Sequence, residues 1–107
     1  MIKIPQSELE VMKVIWENTQ PVSSKIITTT LKELNGWEST TTFSFLSRLI
    51  KRGFLDAEKK DKFTYYTAKI EKEPYIIFIT KNFILDVFDK NIESKDKLNE
   101  IIHFILN

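Results

Sequence analysis

At 107 residues, with 42% apolar and 29% charged side chains, the chain has the make-up of one compact globular domain, or of a small domain with an appendage. The absence of cysteine excludes disulfides, thiolate metal sites and cysteine nucleophiles, and it suits a reducing cytoplasm. No apolar run approaches the roughly 20 residues of a membrane-spanning helix, and Met1-Ile2-Lys3-Ile4-Pro5 does not read as a secretory signal, so membrane insertion and export are not expected.

The net charge of +1 is unevenly spread. Residues 1–69 carry 11 Lys and Arg against 8 Asp and Glu, whereas residues 70–107 carry 5 against 7. A weakly basic first part and an acidic second part are compatible with one nucleic-acid-facing and one partner-facing half.

In chain order, Ser7-Glu8-Leu9-Glu10 has the form of a capping box. Leu9, Met12, Ile15 and Trp16 then recur at helical spacing, with Val11 and Val14 widening the stripe, which predicts a first helix ending near Asn18. Ser23 or Ser24 is placed to cap a second helix with Ile27, Leu31 and Leu34 on one face, stopped by Asn35-Gly36. A third helix is predicted from about Ser39 to Arg52. Thr42, Leu46, Leu49 and Ile50 form its inner face with Phe45, while Thr40, Phe43, Ser44, Ser47 and Lys51 point the other way.

After Gly53 the apolar period changes to two. Residues 54–58 and 63–67 read as short strands around a polar turn, Lys59-Lys60-Asp61-Lys62. Glu73-Pro74 fits a helix start. The run Tyr75-Ile76-Ile77-Phe78-Ile79-Thr80 favours a strand by propensity, but its continuation through Phe83, Ile84, Val87 and Phe88 favours a helix. A final helix over about Lys95–Leu106 places Leu98, Ile101, Ile102 and Ile105 on one side.

The expected fold is therefore mainly α with a small β-hairpin (α+β). A winged helix-turn-helix occupies residues 1–70 and a helical region follows at 71–107. In that plan the third helix lies in the major groove of DNA and the hairpin wing lies along the backbone. The apolar stripe of the last helix suits pairing with a second copy across a two-fold axis.

Glu8-Leu9-Glu10-Val11-Met12-Lys13-Val14-Ile15-Trp16 resembles the opening helix of the BlaI/MecI penicillinase repressors. Trp37 through Leu49, ending in Ser47-Arg48-Leu49, is similar to their recognition-helix block. Phe54-Leu55-Asp56 with Tyr65-Tyr66 resembles their wing, and Lys81-Asn82-Phe83 the segment cut in their sensor pathway. The resemblance runs from residue 4 to about 88. It implies a cytoplasmic homodimer that represses a resistance operon from a palindromic operator in double-stranded DNA. Its C-terminal helices would dimerise, through Phe83 and Val87 as well as the last helix, and proteolysis at Asn82–Phe83 triggered by a membrane sensor would separate the halves. Three departures stand out: Thr40 replaces a usual lysine, Phe43 replaces a usual basic residue, and the segment between Phe88 and the last helix is short. The clustered C-terminal cysteines of copper-sensing relatives are absent, so copper sensing is not expected.

The residues expected to meet DNA are Thr40, Thr41, Phe43, Ser44, Ser47, Arg48 and Lys51 on the third helix, and Lys59, Lys60 and Lys62 in the wing. Each has a plainer alternative. Hydroxyls at residues 39–44 suit a helix N-terminus, and Arg48, Lys51 and Arg52 suit a solvated helix C-terminus as well as they suit phosphate clamping. Wing lysines suit a solvated hairpin tip. Phe43 is the odd feature, able to touch a thymine methyl, bury against the wing, or mark a face that binds protein instead of DNA. Trp16 and Trp37 read as packing residues, and Asn82–Phe83 as chemistry is an ordinary dipeptide of a buried helix. His103, the only histidine, has no cysteine or second histidine to build a metal or acid–base site with. No glycine-rich phosphate loop, metal-ligand spacing or Ser/His/Asp order suggests an enzyme, and no cofactor is expected.

Overall fold

The computed structural model describes residues 2–87 and 95–106, with side chains described for 2–87 and 99–104. The chain forms two compact units, Ile2–Glu71 and a second built from the two C-terminal helices. The first unit contains α1 (Gln6–Trp16), β1 (Val22–Ser23), α2 (Ser24–Asn35), α3 (Ser39–Lys51), β2 (Leu55–Lys60) and β3 (Phe63–Ala68). The second contains α4 (Lys72–Val87) and α5 (Lys95–Leu106).

Helix α1 packs against both α2 and α3. Val11, Met12 and Ile15 of α1, Ile27 and Leu31 of α2, and Leu46 and Leu49 of α3 are buried where these helices meet. Burial of such side chains at about 25 cal/mol per Å² of apolar surface is the main favourable term in this unit. The predicted capping box does not form. The helix starts two residues earlier, after Pro5, with no side-chain cap, so Ser7 lies inside its first turn. Glu10 instead accepts from Gln6 Nε2 (3.2 Å) and pairs with Lys13 (3.3 Å).

Ser23 caps α2, its Oγ accepting from the Ile26 amide at 3.3 Å, and Gly36 ends that helix at φ 70°. Leu34, expected on the inner face, is exposed, because the last turn of α2 extends past the core. Helix α3 closes in a paired-bond cap: the Gly53 amide donates to Ile50 O (3.0 Å) and the Phe54 amide to Leu49 O (2.9 Å). Gly53 adopts φ 85°, a backbone state that side chains with a Cβ rarely take, and the turn delivers buried Phe54 beside buried Leu49. Ile50, also expected inside, is 39% exposed, since α3 turns its Thr42–Leu46–Leu49 stripe to the core and leaves Ile50 at the margin.

The sheet has three antiparallel strands in the order β1-β3-β2. Strand β1, two residues long, has no sequence signal and pairs Val22 with Tyr66 and Ser23 with Tyr65. The hairpin is longer than its apolar pattern suggests. Lys59 and Lys60 pair with Thr64 and Phe63, which shrinks the turn to Asp61-Lys62 with Asp61 at φ 59°. Lysine's low strand propensity hides this extension, which cross-strand bonding provides. Gln20 Oε1 accepts from the Ala68 amide at 2.6 Å at the far end of β3.

In the second unit, the β-branched run of residues 75–80 is helical, as the longer periodicity predicts, with Tyr75 and Ile84 buried. Pro74 is the third residue of α4, still in the first turn, where no amide is needed for the helix ladder. Phe88 and the short segment leading to α5 lie outside the described residues.

Candidate nucleic-acid interface

Helix α3 is held from behind and open in front. Thr42, Leu46 and Leu49 are buried on one side, and the opposite side carries exposed Thr40, Thr41, Phe43, Ser44, Ser47, Arg48 and Lys51. No side chain caps the start of α3; the Thr41 and Thr42 amides donate to the Glu38 carbonyl at 3.0 and 3.3 Å. Among the described residues, the hydroxyls of Thr40, Thr41, Ser44 and Ser47 have no hydrogen-bond partner within the protein. The capping alternative for these hydroxyls is thereby removed. They stand free to donate or accept on the solvent side, which is what reading mixed donor and acceptor edges requires.

Two contacts fix the helix and its charges. The Arg52 guanidinium donates to the Glu8 carboxylate, whose side chain is only 3% exposed, tying the C-terminus of α3 to the first turn of α1. Arg52 is thus engaged internally and is not a free phosphate clamp. Nothing in the sequence pairs residues 44 positions apart, so this bridge was not legible there. The second contact is an aromatic–cation cluster. Trp37 lies 5.0 Å from the Phe45 ring at 56°, and the Arg48 guanidinium sits over the same ring at 5.5 Å. The cluster restricts a long cation to one side of α3 before any ligand arrives.

The wing lysines do not form one cluster. Side chains alternate along a strand, so Lys59 shares a face with Ala57 and Leu55, while Lys60 lies on the other face with Glu58 and Asp56. Lys62 is in the turn itself, and all three are exposed. From Leu55 to Ala68 the hairpin carries three lysines and three carboxylates, Asp56, Glu58 and Asp61, so it is electrically neutral, whereas α3 carries Arg48 and Lys51 and no acid. Lys69 lies 3.9 Å from Asp56, both well exposed, an arrangement that contributes little. On the inner face of β3, burial raises the Tyr66 phenol above its ordinary 10.0.

On α4, Asn82 and Phe83 are both exposed, which corrects the expectation of a buried dipeptide; the side chain of Ile84 takes the buried position beside them. Phe83 and Val87 are each 59% exposed, Ile101 and Ile102 are half-buried, and the side chains of Leu98 and Ile105 lie outside the described residues. Trp16 is half-buried and donates from Nε1 to the Ile70 carbonyl at 2.9 Å, closing the end of the first unit. Among the described residues no group of three or more His, Asp or Glu could hold a metal ion, and no helix is long and apolar enough to cross a membrane.

Three helices with a tight turn between α2 and α3, followed by an antiparallel hairpin, define a winged helix-turn-helix protein. Comparison with known proteins agrees. The family model described as penicillinase repressor matches residues 4–101. The penicillinase repressor of Bacillus licheniformis is 34% identical over 97 residues, covering 88% of this chain and 75% of its own length. The methicillin resistance regulatory protein MecI of Mammaliicoccus sciuri is 29% identical over 92 residues, covering 86% and 74%. Among solved structures, the DNA-binding domain of the repressor BlaI matches 70% of this chain and 94% of its own, with a TM-score of 0.60 and 37% identity. The monomeric form of Bacillus licheniformis BlaI in complex with the blaP half-operator matches 69% and 89%, with a TM-score of 0.60 and 34% identity. The chain belongs to the penicillinase repressor family.

Proposed function

We propose that this chain binds double-stranded DNA in a sequence-specific way and represses transcription by occluding a promoter. Helix α3 enters the major groove and the β2–β3 hairpin lies along the neighbouring backbone. One observation carries this reading: the seven α3 residues expected at DNA all project from the open face of a helix whose other face is fixed in the core. The likeness to a BlaI monomer bound to a half-operator supports it. Thr41 and Ser44 are assigned to base edges, Arg48 and Lys51 to phosphates, and Lys62 with one of Lys59 and Lys60 to the adjacent backbone.

The repressor acts in the cytoplasm as a homodimer on a palindromic operator, with α4 and α5 supplying the interface through Phe83, Val87, Leu98, Ile101, Ile102 and Ile105. Its target is an operon for resistance to β-lactams. Cleavage between Asn82 and Phe83, driven by a membrane sensor pathway, would leave each half-site contact intact but unlink the pair. Avidity would then fall by roughly 10²–10⁴. Exposure of both residues favours access, although a helix must open locally before a protease can cut it.

The test is selection of bound duplexes from a random pool, followed by a salt titration. Two-fold symmetric sequences with half-sites about 34–36 Å apart are expected. The slope of log affinity against log salt should be shallow, near −0.9 per neutralised phosphate for the few cations on offer. Absence of duplex binding would favour the alternative, a winged helix that contacts protein through the apolar Phe43 and Ile50 on α3.

A further inference from the structure

Helix α3 carries two phenylalanines with opposite circumstances. Phe45 is in contact with the tilted ring of Trp37 and with the Arg48 guanidinium. Phe43 is 42% exposed, on the open face, with no ring or cation partner among the described residues. Its neighbours on that face, Thr40, Ser44 and Ser47, have short side chains, so the ring stands above them. The part of the ring that stays in water contributes nothing to folding, so it is apolar surface still open to a ligand.

Phe43 is the fifth of the 13 residues of α3, in the N-terminal half that meets base edges in helix-turn-helix proteins. A phenyl ring neither donates nor accepts a conventional hydrogen bond, so it cannot read the polar edges of guanine, adenine or cytosine. The one apolar group displayed in the major groove is the C5-methyl of thymine. Resting on the DNA-binding reading above, we propose that Phe43 is a specificity residue that packs on a thymine methyl, fixing one T·A pair in each half-site. The hydroxyls around it bond polar edges of adjacent bases, and the ring excludes water from those bonds.

The test uses the full chain and the duplexes recovered by random selection. Each thymine is replaced singly by deoxyuridine, which removes only the methyl group. One thymine per half-site should respond, with binding weakened about fourfold per half-site, the worth of one buried methyl. Phe43→Ala should bind the thymine duplex more weakly and no longer distinguish thymine from uracil there. Phe43→Gln, which presents an amide, should move the preference at that pair towards adenine. Because Phe43 is 42% exposed and lies outside the core, both variants should remain folded, which their melting curves check.

If the wild-type protein binds duplex DNA yet tolerates deoxyuridine at every position, the inference is overturned while DNA binding stands. Retention by Phe43→Ala of the wild-type uracil sensitivity would overturn it equally. Failure of the wild-type protein to bind any duplex would remove the underlying reading, and this inference with it.

Discussion

Replacing Arg52 by methionine keeps most of the side chain's length but leaves the Glu8 carboxylate, 3% exposed, without its cation. Stripping one partner from a fully buried ion pair costs about 3–5 kcal/mol, most of it the penalty of a stranded charge. Arg52 is itself 36% exposed, so water already shares its charge and the pair is worth less than a fully buried one. The expected loss is about 2 kcal/mol, which for a domain of this size lowers the melting midpoint by roughly 10 °C. Urea unfolding at fixed protein concentration reads the change directly, and the m-value should stay constant if only the pair is affected. The double variant Glu8→Leu/Arg52→Met should recover most of the loss, since an apolar pair of similar volume carries no stranded charge. An Arg52→Met protein within about 0.5 kcal/mol of wild type would refute the assignment of this bridge as the tie between α1 and α3.

Three further outcomes rest on particular residues. Thr42 is fully buried and its hydroxyl lacks a hydrogen-bond partner, so Thr42→Val, of the same shape, should stabilise the protein by about 1 kcal/mol in the same urea assay. The Tyr66 phenol is raised by burial, so above pH 10 the unfolded chain loses its proton first and the fold is destabilised as pH climbs. Tyr66→Phe should lack that part of the alkaline loss, which parallel unfolding curves between about pH 8.5 and 11 would show. Ile102→Asp should shift sedimentation from dimer to monomer if α5 forms the seam, and an unchanged dimer would place the interface elsewhere.

The helices were legible because their apolar stripes repeat over several turns, and Gly36 and Gly53 mark their ends where a positive φ is needed. Strand β1 was not, since two residues hold no period and Val22-Ser23 is strand only because β3 lies beside it. The reach of the hairpin was hidden for a related reason: Lys59 and Lys60 pair by backbone bonds that their side chains do not advertise. On α3, the outward face followed from helical spacing alone, and with it the exposure of Thr41, Ser44 and Arg48. The Glu8–Arg52 bridge and the Trp37–Phe45 contact did not, because each depends on where a residue outside α3 meets that helix or its end. Ser7 shows the converse error, a capping pattern set aside by a helix that begins earlier, at Gln6.

In the proposed docking, α3 reads sequence and the wing only holds the backbone. Parallel selections with Thr41→Ala/Ser44→Ala and with Lys59→Ala/Lys60→Ala/Lys62→Ala separate the two roles. The α3 variant should lose discrimination at particular base pairs, by about 1–3 kcal/mol where a good polar interaction is removed. The wing variant should bind all duplexes more weakly with the same consensus, and its salt slope should become shallower by about 0.9 for each phosphate no longer neutralised. A consensus altered by the wing changes and untouched by the α3 changes would rule this docking out.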